Sequence, residues 1–467
     1  MIRKNGKLNT AMIATIMALA WPTMLEQAMQ TAVQYIDTAM VGSLGTYATA
    51  AVGATSTVSW LIGSSTAALG IGFLSYIARS IGAGDRENAS RASAQAVLVT
   101  LIVGILFTAL CLGLSRWVPV WMQVDPAIQD LAARYFFILY APMLPRTAST
   151  IFGMVLRSAG DTKSPMKIGV AVNLLNVILN FLMIYPTRTL WGITVYGAGL
   201  GVIGAALASA IAFTFGGIAI TVVLWRHQVI SPRGRSLRPD GAILRPCMKV
   251  ALPNMLQRFG TSLGYVFFAS MVNSIGEVAT AAHTIANTVE SAFYIPGYGM
   301  QTAAATLVGN AYGAKDSRRM KEVSSMFLPI EVILMVLSGG ALFAMAPHLM
   351  GIFSDSAEVI DLGTMVLRMV ALSEPFYGVS IIVEGMMQGV GRTKAPFVFN
   401  ITGMWGVRIV GTYICTQLLS MGLVSAWGCM IGHNMLLFVL FTVTYLRGSW
   451  NPLTESSEGG RGHVTTG

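Results

Sequence analysis

The chain has 467 residues, of which 54% are hydrophobic and only 11% charged, with a mean hydropathy of +0.65. Soluble domains carry about 25% charged residues, so this composition excludes an ordinary soluble fold and predicts a polytopic membrane protein. The net charge of +10 does not point to nucleic acid, because the basic residues gather in short loops between apolar runs. The four cysteines, Cys111, Cys247, Cys415 and Cys429, are scattered, with no CxxC and no Cys/His cluster. Neither a disulfide framework nor a metal site is expected, and no cofactor.

The start, MIRKNGK, is a basic flank before a long apolar segment that continues past Pro22 without a clear cleavage site. It reads as a retained first span rather than a signal peptide. Apolar segments of about 20 or more residues are candidate spanning helices. They fall at residues 9–41, 48–79, 92–114, 127–156, 165–186 and 199–225, then 247–273, 279–310, 323–347, 358–389, 395–420 and 422–446. That predicts an all-α protein of twelve spans. The first six form an amino-terminal lobe (1–225), and a basic linker (226–246) joins it to a carboxy-terminal lobe (247–446). Residues 447–467 are polar and Gly-rich and are expected to be a disordered tail.

Lys and Arg set the orientation. One set of connections holds Arg79, Arg86, Arg91, Arg157, Lys163, Lys167 and the 226–249 cluster, then Lys315, Arg318, Arg319, Lys321, Arg392, Lys394 and Arg447. The alternate connections are nearly bare, with Arg116 and Arg188 the main exceptions. Both termini are therefore expected in the cytoplasm, which agrees with an even number of spans.

The halves repeat at a shift of 231 residues. Pro22 falls on Pro253, Gly45 on Gly276, and Ala48-Thr49-Ala50-Ala51 on Ala279-Thr280-Ala281-Ala282. Gly82-Ala83-Gly84-Asp85 falls on Gly313-Ala314-Lys315-Asp316, and Gly160-Asp161-Thr162-Lys163 on Gly391-Arg392-Thr393-Lys394. Six spans per repeat is an even number, so the copies share one orientation and an axis along the membrane normal. Repeats with a shared midplane site are a design of secondary transporters.

Within the first span, Gln27, Gln30, Gln34 and Asp37 are spaced three, four and three, which puts them on one helical face. An acid at membrane depth costs about 2.5–3.5 kcal/mol on insertion scales, so it persists where it lines a cavity, meets a partner or is protonated. Asp37 is read as a proton or cation site, against the plainer alternative of a polar seam between helices. Asn173, Asn176 and Asn180 form a second one-faced stripe in the fifth span. Arg258, Thr261 and Tyr265 form a milder one in the seventh. Glu290 shares a face with His283 and Asn287, and either binds a cationic substrate or pairs with Arg258. Tyr377 and Glu384 stand in the tenth span, with Glu374 and Gln388, while Glu26, Arg146 and Arg408 have structural pairing as their default reading. A Met-rich apolar interior suits varied organic ligands. Gln30, Tyr35, Asn173, Arg258, Tyr265, Glu290, Tyr377 and Glu384 are the cavity candidates. A membrane-embedded enzyme is disfavoured, since no clustered catalytic groups are seen.

Several stretches resemble the multidrug and toxic compound extrusion family: the Pro22…Asp37-Thr-Ala-Met-Val-Gly segment and its Pro253 counterpart, ARSIGAGD with GNAYGAKD, LRSAGDTKSP with MQGVGRTKAP, and NLLNVILN. The resemblance covers residues 9–446. No GxxxxGK[ST] motif is present, so a gradient rather than ATP is expected to drive transport. The resemblance implies two six-helix lobes in a V, export of organic, often cationic compounds, and exchange for H⁺ or Na⁺. It also implies a monomer in the bacterial cytoplasmic (inner) membrane. By resemblance Asp37 is the family's first-span acid, Asn176 and Asn180 face it, and Gln34 joins them as a coupling residue. Relatives of the NorM kind have acids in the seventh and tenth spans for a sodium site. Here Gln257, Arg258 and Tyr377 stand near those positions, and Asp37 has Phe268 as its repeat partner. The departure favours H⁺, with Na⁺ coupling and a lipid-linked saccharide flippase as the rivals.

Overall fold

A computed structural model describes residues 10–122, 124–190 and 193–454. Helices α1 (Thr10–Gly42), α2 (Thr46–Gly82) and α3 (Arg86–Leu114) are followed by a short α4 (Trp117–Trp121). Next come α5 (Gln129–Tyr140), α6 (Met143–Ser158), α7 (Lys163–Ile184) and α8 (Gly201–Arg226). The second half runs through α9 (Gly241–Asn273), α10 (Glu277–Phe293), α11 (Ile295–Gly313), α12 (Ser317–Phe353), α13 (Ala357–Ala371) and α14 (Glu374–Gly389). It ends with α15 (Lys394–Ile401), α16 (Val410–Tyr413) and α17 (Leu423–Leu446), with π-helical stretches at Thr402–Ile409 and Ile414–Leu418 on either side of α16.

The chain is thus an all-α polytopic membrane protein, and the expected spans map onto these helices in order. Three of them are broken. The fourth is α5 plus α6, the eighth α10 plus α11, and the tenth α13 plus α14, which meet at 53°. Each break has Pro within a few residues, at Pro142, Pro296 and Pro375. A proline removes one helical hydrogen bond and clashes with the preceding turn. Six of the described helices are long and apolar enough to cross a bilayer individually.

An antiparallel hairpin of β1 (Pro186–Leu190) and β2 (Ile193–Ala198) fills the connection between α7 and α8, where the sequence reading gave only a loop. The tail is a second correction. Its first residues are ordered, with Trp450 buried and stacked on Tyr445 at 5.7 Å and Arg392 donating to the Ser449 carbonyl. The remainder, 455–467, lies outside the described residues.

Two compact units emerge. One holds Leu25–Ile77 and Arg86–Arg245; the other holds the described residues up to Met24, Ala78–Asp85, and those from Pro246 on. The chain passes between the units at Arg245/Pro246, within the stretch read as the linker, and also inside α1, three residues after its interior Pro22, and at either end of Ala78–Asp85. In the first unit Val41, Cys111, Phe136, Tyr140 and Ile184 form the core. In the second, Ile16 and Ala20 of α1 pack with Met300, Phe327, Met386 and Phe441. A separate cluster gathers Phe268, Ala282, Leu367 and Trp427. Lipid supplies no hydrophobic drive between helices, so close backbone approach carries much of the packing. Gly204 lies against the Met183 carbonyl and Gly217 against Pro145.

The 231-residue shift reappears as geometry. A Cβ on Gly82 would lie 1.9 Å from the Asn310 carbonyl oxygen, and one on Gly313 would lie 1.9 Å from the Arg79 carbonyl oxygen. Arg79 and Asn310 are themselves repeat partners, so the contact is reciprocal, as a twofold relation requires. Gly45 and Gly276, Gly160 and Gly391, and Gly84 and Lys315 all share positive φ at equivalent turns. Gly82→Ala and Gly313→Ala are each expected to destabilise by about 1–3 kcal/mol through overpacking, whereas Gly42→Ala, which meets open space, is not. Thermal melting in detergent checks this: equal midpoints for all three variants would contradict the close contact.

Candidate functional site: the Asp37 face of the first unit and the buried acids of the second

Asp37 lies in the second half of α1, half-buried. The Asn180 amide nitrogen of α7 donates to its Oδ1 at 2.6 Å. Asn176, one turn earlier, sits under Asn180, and both are buried because their four-residue spacing keeps them on one face of α7. The Asn176 amide lies within reach of Asp37 in either rotation. In one, its nitrogen donates to Ser209 Oγ of α8 at 3.0 Å and its oxygen accepts from Asn180 at 3.2 Å. In the other, its nitrogen donates to Asp37 Oδ2 at 3.0 Å.

The structure thus brings Asp37, Asn176 and Asn180 together. Of the other expected members, Gln30 and Gln34 are exposed, and the Gln34 carbonyl accepts from the Thr38 hydroxyl at 2.8 Å. Tyr35 and Asn173 are half-buried. Among the described residues Arg146 makes no ion pair of the kind its default reading assumed. Its guanidinium lies over the rings of Phe213 at 4.6 Å and Tyr140 at 5.4 Å.

Eleven residues before Asp37, on the same face of α1, Glu26 accepts from the Arg157 guanidinium at 2.5 Å. Gly169 of α7 leaves room for the Glu26 side chain, which a Cβ there would meet at 2.9 Å. Arg157 is buried, so the pair replaces lost hydration for both charges.

The second unit is richer in buried charge than the sequence suggested. Glu384 of α14 accepts from Gln257 at 2.9 Å, Gln388 at 3.2 Å and Asn400 at 3.3 Å. Arg258, half-buried, is held by Asn254 Oδ1 at 2.9 Å and lies within electrostatic reach of Glu384. The pair with Arg258, one of the two readings of Glu290, does not occur among the described residues: Glu290 accepts from the Tyr294 hydroxyl at 2.6 Å. Of the stripe drawn with Glu290, His283 is buried and accepts from Trp427, while Asn287 is exposed. Tyr377 packs edge-on against Tyr294, and Tyr265 is largely exposed.

Phe268, the repeat partner of Asp37, is fully buried and lies beneath the Arg408 guanidinium at 4.2 Å; Tyr265 shares that cation at 4.6 Å. Where the first unit has a carboxylate held by amides, the second has a cation held by rings. Glu331 of α12 and Glu374 of α14 are fully buried, and their carboxyl oxygens have no hydrogen-bond partner among the described residues. Glu331 escaped the sequence reading, although an acid inside FLPIEVILMV is signal enough. Among the described residues no group of three His, Cys, Asp or Glu could hold a metal.

Removing one partner of a buried ion pair strands the other charge. Arg157→Met is therefore expected to destabilise by about 3 kcal/mol. Glu26→Gln/Arg157→Met should recover most of that loss in a detergent melt. A double variant as unstable as the single would mean that packing of Arg157, not its charge, matters.

Comparison with known proteins agrees with this architecture. The chain is 25% identical over 436 residues to the probable multidrug resistance protein NorM of Thermotoga maritima, covering 93% of this chain and 92% of that one. It is 24% identical over 460 residues to the probable multidrug resistance protein YpnP of Bacillus subtilis, covering 95% and 97%. A solved MOP superfamily transporter from Pyrococcus furiosus, described as having a binding pocket of reversed polarity that suggests a different function, superposes with a TM-score of 0.86 at 26% identity, over 94% of this chain and 96% of that one. Residues 22–182 and 253–414 each match the MatE family model, and the two matches start 231 residues apart, so the chain belongs to the MatE family, the multidrug and toxic compound extrusion transporters.

Proposed function

We propose that the chain is a multi-pass exporter of organic, cationic or amphipathic compounds that exchanges them for H⁺ through Asp37. A single chain carries both repeats, which makes the monomer the working unit. The Lys/Arg pattern supports an orientation with both termini in the cytoplasm of a bacterial cell. What carries the reading is the hydrogen bond from Asn180 to Asp37, with Asn176 in reach of the same carboxylate.

A coupling group must alternate between charged and neutral, and each state needs its own partners. Ionised Asp37 is acceptor-only and takes donors from Asn180 and Asn176; protonated Asp37 is itself a donor. An amide presents N–H₂ or C=O on rotation, so Asn176 suits either state, with Ser209 accepting or donating behind it. Each proton changes the local charge by one unit, which weighs more where water is scarce. α1 would shift on protonation, with Pro22 permitting the bend, and the first unit would release its substrate. Gln30, Tyr35 and Asn173 would line the route.

A second reading has its own support. Glu384, held by three amides with Arg258 nearby, could titrate or take Na⁺ instead. Everted vesicles with proton and sodium gradients set separately separate the two. Asp37→Asn is expected to abolish proton-driven dye efflux at normal protein levels, and Glu384→Gln to retain it. Efflux retained in Asp37→Asn and lost in Glu384→Gln would move coupling to the second unit.

A further inference from the structure

The cysteines that the sequence leaves scattered do not stay so. Cys415 lies in the π-helical stretch Ile414–Leu418 and Cys429 in α17, and their Sγ atoms are 3.9 Å apart. The helices carrying them are joined by the short turn 419–422, tied by the Met421 amide donating to the Cys415 carbonyl at 2.8 Å. Both thiols are half-buried, whereas Cys111 and Cys247 are buried. Gly411 makes the contact possible: a Cβ there would lie 3.0 Å from Cys429 Sγ. We propose that Cys415 and Cys429 form a modification site, a thiol pair that an external disulfide oxidises to an intramolecular bridge between the last two spans.

The chemistry balances with one oxidant. The Cys415 thiolate, nearer the turn, attacks one sulfur of a low-molecular-weight or protein disulfide. That S–S bond breaks and its other sulfur leaves as a thiol. The Cys429 thiolate then attacks Cys415 Sγ and expels the second thiol. Two protons and two electrons pass from the pair to the oxidant. Bond formation needs the sulfurs to close from 3.9 Å to about 2.05 Å. The turn 419–422 lies on the outer side in the orientation proposed above, where oxidising conditions let such a bond persist. The bridge would fix the register of the π-helical stretch against α17.

The test uses the full chain in nanodiscs, exposed to oxidised glutathione, with free thiols then blocked by N-ethylmaleimide before digestion. Mass spectrometry is expected to find one cross-linked species joining the Cys415 and Cys429 peptides, two hydrogens lighter than the reduced pair and reversed by dithiothreitol. Cys415→Ser and Cys429→Ser should each abolish it, and each should leave the remaining thiol as a glutathione adduct; Cys111→Ser and Cys247→Ser should not abolish it. Alkylated or separately glutathionylated Cys415 and Cys429 in the wild-type chain, without the bridge, would overturn the proposal. None of these readouts depends on transport, so the outcome is independent of the Asp37 reading.

Discussion

One helix answers to two packing environments. α1 runs unbroken from Thr10 to Gly42, yet Ile16 and Ala20 belong to the core built by α11, α12, α14 and α17, while Asp37 faces α7. Pro22 sits where the allegiance changes. The Glu26–Arg157 pair, in which Arg157 is buried, ties α1 to α6 within the Asp37 unit and would resist rotation of that part of α1 about its axis.

Duplication supplied two similar frames, and the buried polar groups have diverged within them. Backbone features that depend on sterics are shared, such as the positive-φ turns and the reciprocal glycine contacts. Side chains that depend on charge are not. Asp37 meets amides; its counterpart Phe268 supports Arg408. The second unit also buries three acids: Glu290 accepts from the Tyr294 hydroxyl, while the carboxyl oxygens of Glu331 and Glu374 have no hydrogen-bond partner among the described residues. A frame can keep its packing while its electrostatics are rewritten, since close packing constrains volume and leaves the sign of charge free.

Much of this was legible in the chain. Apolar runs gave the spans, because length and composition suffice for a bilayer. The Asp37–Asn180 contact followed from two helical stripes and the family resemblance. Breaks within the fourth, eighth and tenth spans were less legible: proline marks where a helix can break, and only tertiary packing decides whether it does. Glu290 was left between a substrate role and a pair with Arg258 because helical spacing gives a face, not the neighbour across it. The Arg408 stack, the buried Glu331 and the Cys415–Cys429 contact all depend on distances between helices, which periodicity does not encode.

The connection between α8 and α9 looks like a loose basic tether in sequence, but it lies along α3. Ser90 donates to the Ser231 carbonyl at 2.6 Å, Gln95 both donates to the Arg238 carbonyl and accepts from the Asp240 amide, and Arg91 pairs with Asp240 at 2.6 Å. Arg235 adds a bond to Glu87 at 3.1 Å. Its contour length is therefore spent on a surface rather than held as slack. Residues inserted at the Gly234 turn, where φ is +68° and nothing crowds the backbone, would bulge outward without lengthening the leash that Asp240 offers to α9.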